Sequence, residues 1–420
     1  MFSSSFQTYF LSLAVIVFLS SCSQEQSWVG SSPWFGNNSL AQNSGSSQTP
    51  GYGKDPLTPP LPAPVPPVQR LPNGITFNGS VKTKVAILVP LTGPNATLGQ
   101  AMLNAAQQAV FDVASENFEL MPRDTGSDES SAGTAARDAV ASGAQLLIGP
   151  VFAAAVPSVV SVARNNNINV LTLSSDASLA EPGVFVMGFT AAPQVERVVS
   201  YASMHGLHHF AALIPNNAYG ALVGRAFQES VARHGGTLVD YQTYDPARHD
   251  SNMALQILAQ HRDQIDALFL PEGGSDIDQI SSQSLTAGFN SHLTRLLGTG
   301  LWDVPGIASQ NNFLVGGWYA ASDPKARTKF ISSYMSAYGQ EPPRLVTLAY
   351  DATALAAALA KHGSIFSAQD LTNPNGFAGL DGIFRLTQQG LTERGLAINE
   401  ITESGPRVID PSPTSFTTAP

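Results

Sequence analysis

An apolar run that leads directly into an amphipathic stripe constrains the fold of this chain most strongly. Residues 85–91 read V-A-I-L-V-P-L, which is typical of a strand buried on both faces. After a turn at 92–95, apolar residues recur at helical spacing for four turns, from Leu98 to Val113. A buried strand followed by such a helix is the repeating unit of a parallel α/β sheet.

The same alternation continues along the chain. Helical patterns near 134–142, 157–165 and 221–234 alternate with strand-like segments at 145–149, 168–173, 211–215, 268–271, 295–298 and 313–317. This order predicts an α/β fold with parallel sheets that carry helices on both faces. Because there are too many strands for one comfortable sheet, and 420 residues are long for one domain, we expect two doubly wound lobes.

The first 22 residues indicate a lipoprotein signal peptide. An apolar run at 10–19 is too short to span about 30 Å of hydrocarbon, but it fits a signal peptide. It ends in Leu19-Ser20-Ser21-Cys22, which resembles a bacterial lipobox, so we expect the Cys22 thiol to carry a lipid. The alternative is a free cysteine after an ordinary signal peptide. Cys22 is the only cysteine, which excludes an intrachain disulfide.

Residues 23–80 differ from the rest of the chain in composition. They consist mostly of Ser, Gly, Asn, Gln and Pro, and cannot bury enough apolar surface to offset their ordering entropy. We therefore expect a disordered tether, with polyproline II in the block at 56–67. Such a tether spans roughly 45 Å as a coil and roughly 190 Å when stretched. It is either a plain spacer or a device that lets the body reach across the cell-wall layer.

Charge and motifs exclude several classes of function. The net charge of -10 argues against nucleic-acid binding, which needs a basic face. The chain has no G-x-S-x-G, P-loop, H-E-x-x-H or C-x-x-C motif, so we expect no enzyme activity, no catalytic residues and no cofactor. His205, His208 and His209 are interpreted as a polar turn rather than a metal site. Asp276 and Asp278 lie two residues apart on a helix and do not face each other, which disfavours glycan hydrolysis.

Several segments resemble one known family. Residues 84–109, K-V-A-I-L-V-P-L-T-G-P-N-A-T-L-G-Q-A-M-L-N-A-A-Q-Q-A, resemble the opening of type I periplasmic binding proteins of the leucine/isoleucine/valine-binding class. Signatures of that class also match at 138–150, 214–220, 348–356 and 377–385. The resemblance covers about residues 82–409, followed by a tail at 410–420.

The resemblance implies two lobes that close on a ligand by hinge motion. It places lobe 1 at about 82–190 and 319–374, and lobe 2 at about 191–318 and 375–409. Three connections between the lobes are then expected near 190–193, 318–322 and 373–379. The cleft between the lobes would be lined by strand carboxyl ends and helix N-termini, which suit small polar ligands.

The resemblance also implies where a ligand would lie. Amino-acid binders of the class hold a carboxylate with hydroxyls and backbone N–H groups, and an ammonium with an acid. The matching residues of this chain are Thr92, Gly93, Ala153, Ala154, Ser174, Ser175 and Asp176 in lobe 1, and Tyr219, Glu272, Asp276 and Gly300 in lobe 2. An ordinary structural role stays open for six of these residues: a turn or cap for Thr92, Ser174 and Ser175, the rim or core for Tyr219, and a helix N-cap or solvated loop for Glu272 and Asp276.

This set departs from an amino-acid site in three respects. Ala153 and Ala154 replace hydroxyl donors, and Asp176 adds a negative charge where a carboxylate would lie. Gly300 has no side chain where the ammonium-binding acid is expected, and Glu272 and Asp276 are the candidates to replace that acid. Tyr219 matches a family tyrosine that packs over the ligand.

Two functional hypotheses follow from the resemblance. The altered site, the lipobox and the tether resemble bacterial lipoproteins that look like penicillin-binding protein activators. The first hypothesis is therefore a non-catalytic periplasmic lipoprotein, anchored by Cys22 to the outer membrane, that activates a peptidoglycan synthase. The alternative is a solute receptor that serves an ABC permease and binds a branched-chain amino acid or a related small polar ligand.

Overall fold

Two separate parallel sheets organise the body of the protein. The computed structural model describes residues 82–126, 128–248, 250–310 and 312–416, with the backbone alone at 309 and 310. The expected signal peptide, Cys22 and the tether at 23–80 lie outside the described residues. Within the described ranges, no helix combines the length and the apolar character needed to cross a membrane.

Strands and helices alternate along the chain as the sequence predicts, with further elements between the predicted ones. The strands are β1 (Thr83–Val89), β2 (Phe118–Asp124), β3 (Leu146–Ile148), β4 (Asn169–Thr172), β5 (Val184–Val186), β6 (His209–Pro215), β7 (Thr237–Tyr244), β8 (Ala267–Phe269), β9 (Arg295–Gly298), β10 (Trp318–Ala321), β11 (Phe377–Gly379), β12 (Gly382–Leu386), β13 (Thr392–Arg394), β14 (Ala397–Thr402) and β15 (Gly405–Asp410). The helices are α1 (Ala96–Val113), α2 (Glu129–Ala141), α3 (Val156–Asn165), α4 (Ala191–Met204), α5 (Ala218–Arg233), α6 (Asn252–Ala259), α7 (Gly274–Thr286), α8 (Ile307–Gln310), α9 (Thr328–Tyr338), α10 (Val346–Lys361) and α11 (Ala368–Leu371).

Lobe 1 is built on a five-stranded sheet with the order β2-β1-β3-β4-β5. All of its neighbouring strands are parallel. Val85 to Val89 of the central strand β1 are completely buried, as expected for a strand covered by helices on both faces. One face carries α1 and α10, which pack against each other, and the other face packs against α2 and α3. The α/β fold class is therefore confirmed.

Lobe 2 is built on a seven-stranded sheet with the order β15-β14-β10-β9-β8-β6-β7. Strands β6 to β10 are parallel, whereas β14 and β15 add an antiparallel edge. The strand predicted at 313–317 is wrong. Residues Asn312–Leu314 form a short 3-10 helix that buries Phe313 and Leu314, and the strand begins at Trp318. Gly316 adopts a φ of 86°, which ends the extended pattern before that point.

A small antiparallel sheet changes the expected path between the lobes. Strands β11, β12 and β13 form it, and Phe384 and Leu386 pack into the core that contains α1 and α10. Residues 377–394 therefore belong to lobe 1, whereas the family resemblance implied lobe 2 for them. The third connection lies at Gly395 and Leu396, not at 373–379. The apolar pattern of β12 predicts a buried face, but it does not identify the core that buries it.

The first two connections follow β5 and β10. The first passes from β5 through residues 187–190 into α4. The second follows β10 at Ser322. Residues 319–321, which the family resemblance implied for lobe 1, are therefore in the last parallel strand of lobe 2.

Two helices begin in close contact with the strand that precedes them. Gly99 of α1 and Gly220 of α5 each face a proline carbonyl, and a Cβ atom at Gly220 would lie 1.7 Å from the Pro215 oxygen. We predict that Gly220→Ala lowers the free energy of unfolding by about 1–3 kcal/mol or more, because the helix must move away from the strand.

Urea unfolding of the full chain measures this effect, with Gly235→Ala as the control. No atom lies within 4 Å of the position of a Cβ at Gly235, so that variant carries the backbone strain of its φ of 69° alone. Equal losses in the two variants would contradict the close approach of α5 to Pro215.

Candidate functional site

The carboxyl ends of both parallel sheets lie at the junction of the lobes. In lobe 1, the loop after β4 holds the first connection, since the Gly188 amide donates to the Ser174 carbonyl at 3.1 Å. In lobe 2, Asp303 follows β9 and binds Arg327 of lobe 1, with 2.9 Å between Oδ2 and Nη1. Loops at the carboxyl ends of doubly wound sheets are the usual ligand sites, so the junction is the candidate site.

Thr92 and Gly93 follow β1 on the lobe 1 side of the junction. The Thr92 hydroxyl donates to Asp124 Oδ2 at 2.7 Å, and its amide donates to Asp124 Oδ1 at 3.2 Å. Burial raises the pKa of Asp124, but the hydrogen bonds from Thr92, Gly126 and Leu91 outweigh it and lower the pKa overall. Thr92 therefore already has a partner, and Gly93 forms the exposed turn beside it with a φ of 79°.

The remaining lobe 1 candidates follow β3 and β4. Ala153 and Ala154 lie in a short 3-10 helix and offer no side-chain donor. The Ser174 hydroxyl is buried and accepts the Asp176 amide at 3.1 Å. Asp176 accepts both the amide and the hydroxyl of Ser178, at 3.0 and 2.6 Å, and so caps the next 3-10 helix. Ser175 is exposed. The structure thus supports the cap and turn roles for Ser174 and Asp176.

Lobe 2 brings Tyr219, Thr299 and Gly300 together. The Tyr219 and Thr299 hydroxyls lie 3.0 Å apart, and burial raises the pKa of Tyr219 to about 12. The Gly300 amide donates to Gln194 Oε1 at 2.6 Å, while Gln194 Nε2 donates to the Thr190 carbonyl at 3.0 Å. Gln194 was missed by the sequence analysis, although its place in the first turn of α4, next to the first connection, was a usable signal.

Glu272 and Asp276 lie on the same edge of lobe 2. Glu272 follows β8, and its carboxylate accepts the Tyr244 hydroxyl at 2.6 Å. Burial raises the pKa of Glu272, and the negative charge of Asp276 in the first turn of α7 adds to the shift. The Glu272 carbonyl accepts Trp302 Nε1 at 3.0 Å, and Trp302 lies in the 3-10 helix Gly300–Trp302 that Thr299 caps. The structure therefore brings Tyr219, Thr299, Gly300 and Glu272 to one wall.

A cluster of buried charges lies at the lobe junction, and the sequence analysis missed it. We call the group of Asp303, Arg327, Arg344 and Asp381 the junction cluster. Asp381 is 1% exposed, and Arg344 Nη2 lies 2.8 Å from its Oδ1 atom. Burial raises the pKa of Asp381, but the charge of Arg344 and its other partners hold the pKa well below its usual range.

A second buried pair lies next to the junction cluster. Asp351 of α10 accepts the Leu380 amide at 2.7 Å, and Arg394 Nη1 lies 3.9 Å from Asp351 Oδ2. Burial raises the pKa of Asp351, and the nearby charge of Asp381 raises it further. Asp351 belongs to the segment 348–356 and Asp381 to the segment 377–385. Both segments carried the family resemblance, so the motifs were visible but their pairing was not.

The three histidines interpreted as a polar turn have different partners. The His205 ring contacts the Tyr201 ring in a tilted arrangement, with 3.9 Å between the centroids, and His209 Nδ1 lies 2.9 Å from Asp266 Oδ2. The His208 amide also donates to Asp266. Across the residues that the structure describes, no group of three His, Cys, Asp or Glu side chains is arranged to hold a metal ion.

Comparison with known proteins identifies the family. The profile of the periplasmic binding protein family matches residues 82–390, which is most of the chain. The chain therefore belongs to the periplasmic binding protein family.

A sequence relative and two solved structures illustrate the range of similarity. An uncharacterized protein from Rickettsia prowazekii (strain Madrid E) is 26% identical over 184 residues, or 43% of this chain and 48% of that protein. The chain thus spans about half the length of this curated relative.

Solved structures share the fold. A protein from Rhodospirillum rubrum, named for a branched-chain amino acid ABC transporter, has a TM-score of 0.71 and 18% identity over 78% of this chain and 100% of its own. The branched-chain amino acid transporter substrate binding protein LivJ from Streptococcus pneumoniae, in complex with isoleucine, has a TM-score of 0.58 and 20% identity over 79% of this chain and 100% of its own.

The raised pKa of Glu272 predicts a pH-dependent effect of substitution. Above pH 4.5 the unfolded chain releases the Glu272 proton, whereas the folded state keeps it up to its higher pKa. The free energy of unfolding therefore falls with rising pH until the pH passes the pKa of the folded state. Because glutamine does not titrate, we expect Glu272→Gln to gain stability relative to the wild type between pH 4 and pH 7.

Urea unfolding at the two pH values measures this difference. Glu229→Gln, on the exposed face of α5, controls for the loss of a negative charge. A relative stability of Glu272→Gln that stays constant or falls with rising pH would contradict the effect of burial on Glu272.

Proposed function

We propose that the protein is a receptor that binds a small polar solute between its two lobes. The observation that carries this proposal is the convergence of Tyr219, Thr299 and Glu272 at the carboxyl edge of the lobe 2 sheet, where Tyr219 contacts Thr299 and the Glu272 carbonyl accepts Trp302 Nε1 of the helix that follows Thr299. Such a wall offers hydroxyls and one carboxylate within a fold whose family consists of binding proteins. The receptor would act in the periplasm and deliver its solute to an ABC permease.

The solute would be a branched-chain amino acid or a related small molecule. The similarity to the isoleucine complex supports this class. The lobe 1 wall favours a relative of these amino acids over the amino acids themselves. Ala153 and Ala154 cannot donate a side-chain hydrogen bond to a carboxylate, and Asp176 would repel one. Glu272 supplies a negative charge for a donor group of the solute.

Thermal shift of the full chain against amino acids, their amides and small aromatic acids tests this function. A solute at 100 times its Kd adds about 2.7 kcal/mol to the free energy of unfolding. We predict that Tyr219→Phe weakens the binding of such a solute by about 0.5–1.5 kcal/mol, roughly 2- to 10-fold, since it removes a hydroxyl from the wall.

Tyr338→Phe is the matched control, because its hydroxyl donates to the Asn104 carbonyl at 3.1 Å, between α9 and α1 of lobe 1, and is not part of the candidate wall. A screen in which no compound raises the melting temperature, or equal losses in the two variants, would count against a solute receptor.

A second candidate is a lipoprotein that activates a peptidoglycan synthase. The hydrogen bonds within the candidate site favour it, because the side chains that would hold a solute already bind one another. The Gly300 amide donates to Gln194, the Tyr244 hydroxyl donates to Glu272, and the Thr92 hydroxyl donates to Asp124. A body with such a site would act through its outer surface, and the lipidation predicted at Cys22 and the tether at 23–80 would bring it to the synthase.

Capture of periplasmic synthase domains by the full mature chain tests the second candidate, together with the rate of glycan polymerisation. Mass spectrometry of the N-terminal peptide determines whether Cys22 carries acyl chains, with Cys22→Ser as the control. An unmodified Cys22 and an unchanged polymerisation rate would reject this candidate and leave the solute receptor.

A further inference from the structure

The junction cluster joins the two lobes through a single carboxylate. Asp303 belongs to lobe 2, since it follows Trp302, which is packed in the lobe 2 core. It accepts Arg327 Nη1 at 2.9 Å and Nη2 at 3.3 Å, and it also accepts Arg344 Nε at 3.1 Å. Both arginines lie on the lobe 1 side of the second connection. Asp303 therefore binds lobe 1 through a bidentate ion pair with Arg327 and a further hydrogen bond from Arg344.

The partners of Asp303 are held rigidly within lobe 1. Asp381, in the turn between β11 and β12, binds Arg344 at 2.8 Å and lies 3.4 Å from Arg327. The Ser322 hydroxyl of the second connection donates to Asp381 at 2.9 Å and accepts Arg327 Nη1 at 2.7 Å. This arrangement pre-orders both guanidinium groups around the position of Asp303, so the lobe 2 carboxylate enters a prepared site.

Removal of Asp303 from this site is unfavourable for a physical reason. The Asp303 side chain is 6% exposed and the Arg327 side chain is 10% exposed. A buried pair of this kind adds little net stability against apolar residues. Separation of Asp303, however, leaves the Arg327 and Arg344 guanidinium groups to share the one carboxylate of Asp381, so one positive charge is no longer balanced. A rotation of lobe 2 that carries Asp303 away from Arg327 meets that cost directly.

A second feature spans the same junction on the surface of the protein. We call residues 411–416, which follow β15 of lobe 2, the C-terminal strap. Its start is held in lobe 2, where Asp410 Oδ2 lies 2.6 Å from Arg197 Nη2. Its end packs on the small sheet of lobe 1, where Arg385 lies over the Phe416 ring, 4.7 Å from the centroid.

The C-terminal strap fits closely where it crosses. A Cβ atom at Gly376 would lie 2.9 Å from the Phe416 ring, and one at Gly395 would lie 3.1 Å from Pro413 Cγ. Gly395 is itself part of the third connection between the lobes. The strap is thus a fourth passage of the chain from one lobe to the other.

We propose that Asp303 and the C-terminal strap hold the two lobes at one relative orientation, so that the lobe angle is set by contacts of the protein itself. The protein keeps this orientation when no solute is bound. The inference concerns the hinge and does not depend on the identity of a solute or a partner. The test below contains no solute and no partner protein, so its outcome is separate from that of the tests of the proposed function.

Spin-label distance measurements on the full chain test the proposal. Gln107→Cys on α1 and Glu229→Cys on α5 place one exposed label on each lobe, in a Cys22→Ser background that removes the only native thiol. We expect one narrow distance distribution without any added compound. Asp303→Asn, which keeps the shape but removes the charge, should add a second population at a different distance.

Truncation after Asp410 tests the C-terminal strap without altering the buried cluster. It should broaden the distribution, and Phe416→Ala should reproduce part of this effect. Glu181→Gln is the control, since the Arg164–Glu181 pair is exposed and lies within lobe 1. Circular dichroism verifies that each variant is folded, and an unfolded Asp303→Asn leaves the two strap variants to decide.

Four results would overturn the proposal. A broad distribution of label distances in the unliganded parent shows that the lobes already adopt many relative orientations. An unchanged distribution in a folded Asp303→Asn removes Asp303 as a restraint, and an unchanged distribution after truncation removes the strap. A second population in the Glu181→Gln control shows that any loss of charge has the same effect.

Discussion

The pairing of Asp303 with Arg327 and Arg344 is the interaction on which the arrangement of the lobes depends. It forms where the carboxyl end of the lobe 2 sheet meets the helices that follow the second connection in lobe 1. Asp381 and Ser322 complete the hydrogen bonds of the arginines, so the buried charges are balanced. Charges that are balanced only in one arrangement of the lobes favour that arrangement over others.

The polar groups in the walls of the candidate site are also paired within the protein. Thr92, Glu272 and the Gly300 amide each have a partner in their own lobe. A solute must offer better partners than Asp124, Tyr244 and Gln194, or must leave these bonds intact and contact the exposed groups beside them. The two proposed functions differ on this point. A receptor exchanges such bonds for a solute, whereas an activator uses them to keep a fixed body shape.

Much of the fold was predictable because local patterns determine it. The buried run at 85–91 and the stripe of α1 identified the first strand and helix, and the motif segments identified the family. The predictions were wrong where one local pattern of apolar residues is compatible with two structures. Phe313 and Leu314 are apolar and buried, yet they lie in a 3-10 helix because Gly316 turns the chain. The apolar residues of β12 predict burial equally well in either lobe.

The sequence by itself determined the α/β class, the two-lobed family and the residues at the strand ends, because each depends on periodicity or on motifs within short segments. Only the tertiary structure decided the partners of those residues. Tyr219 meets Thr299, Gly300 meets Gln194, and Asp303 meets Arg344 across separations of 80, 106 and 41 positions. Hydrogen bonds and ion pairs form between groups that folding brings within about 3 Å of each other, and spacing along the chain carries no record of that distance.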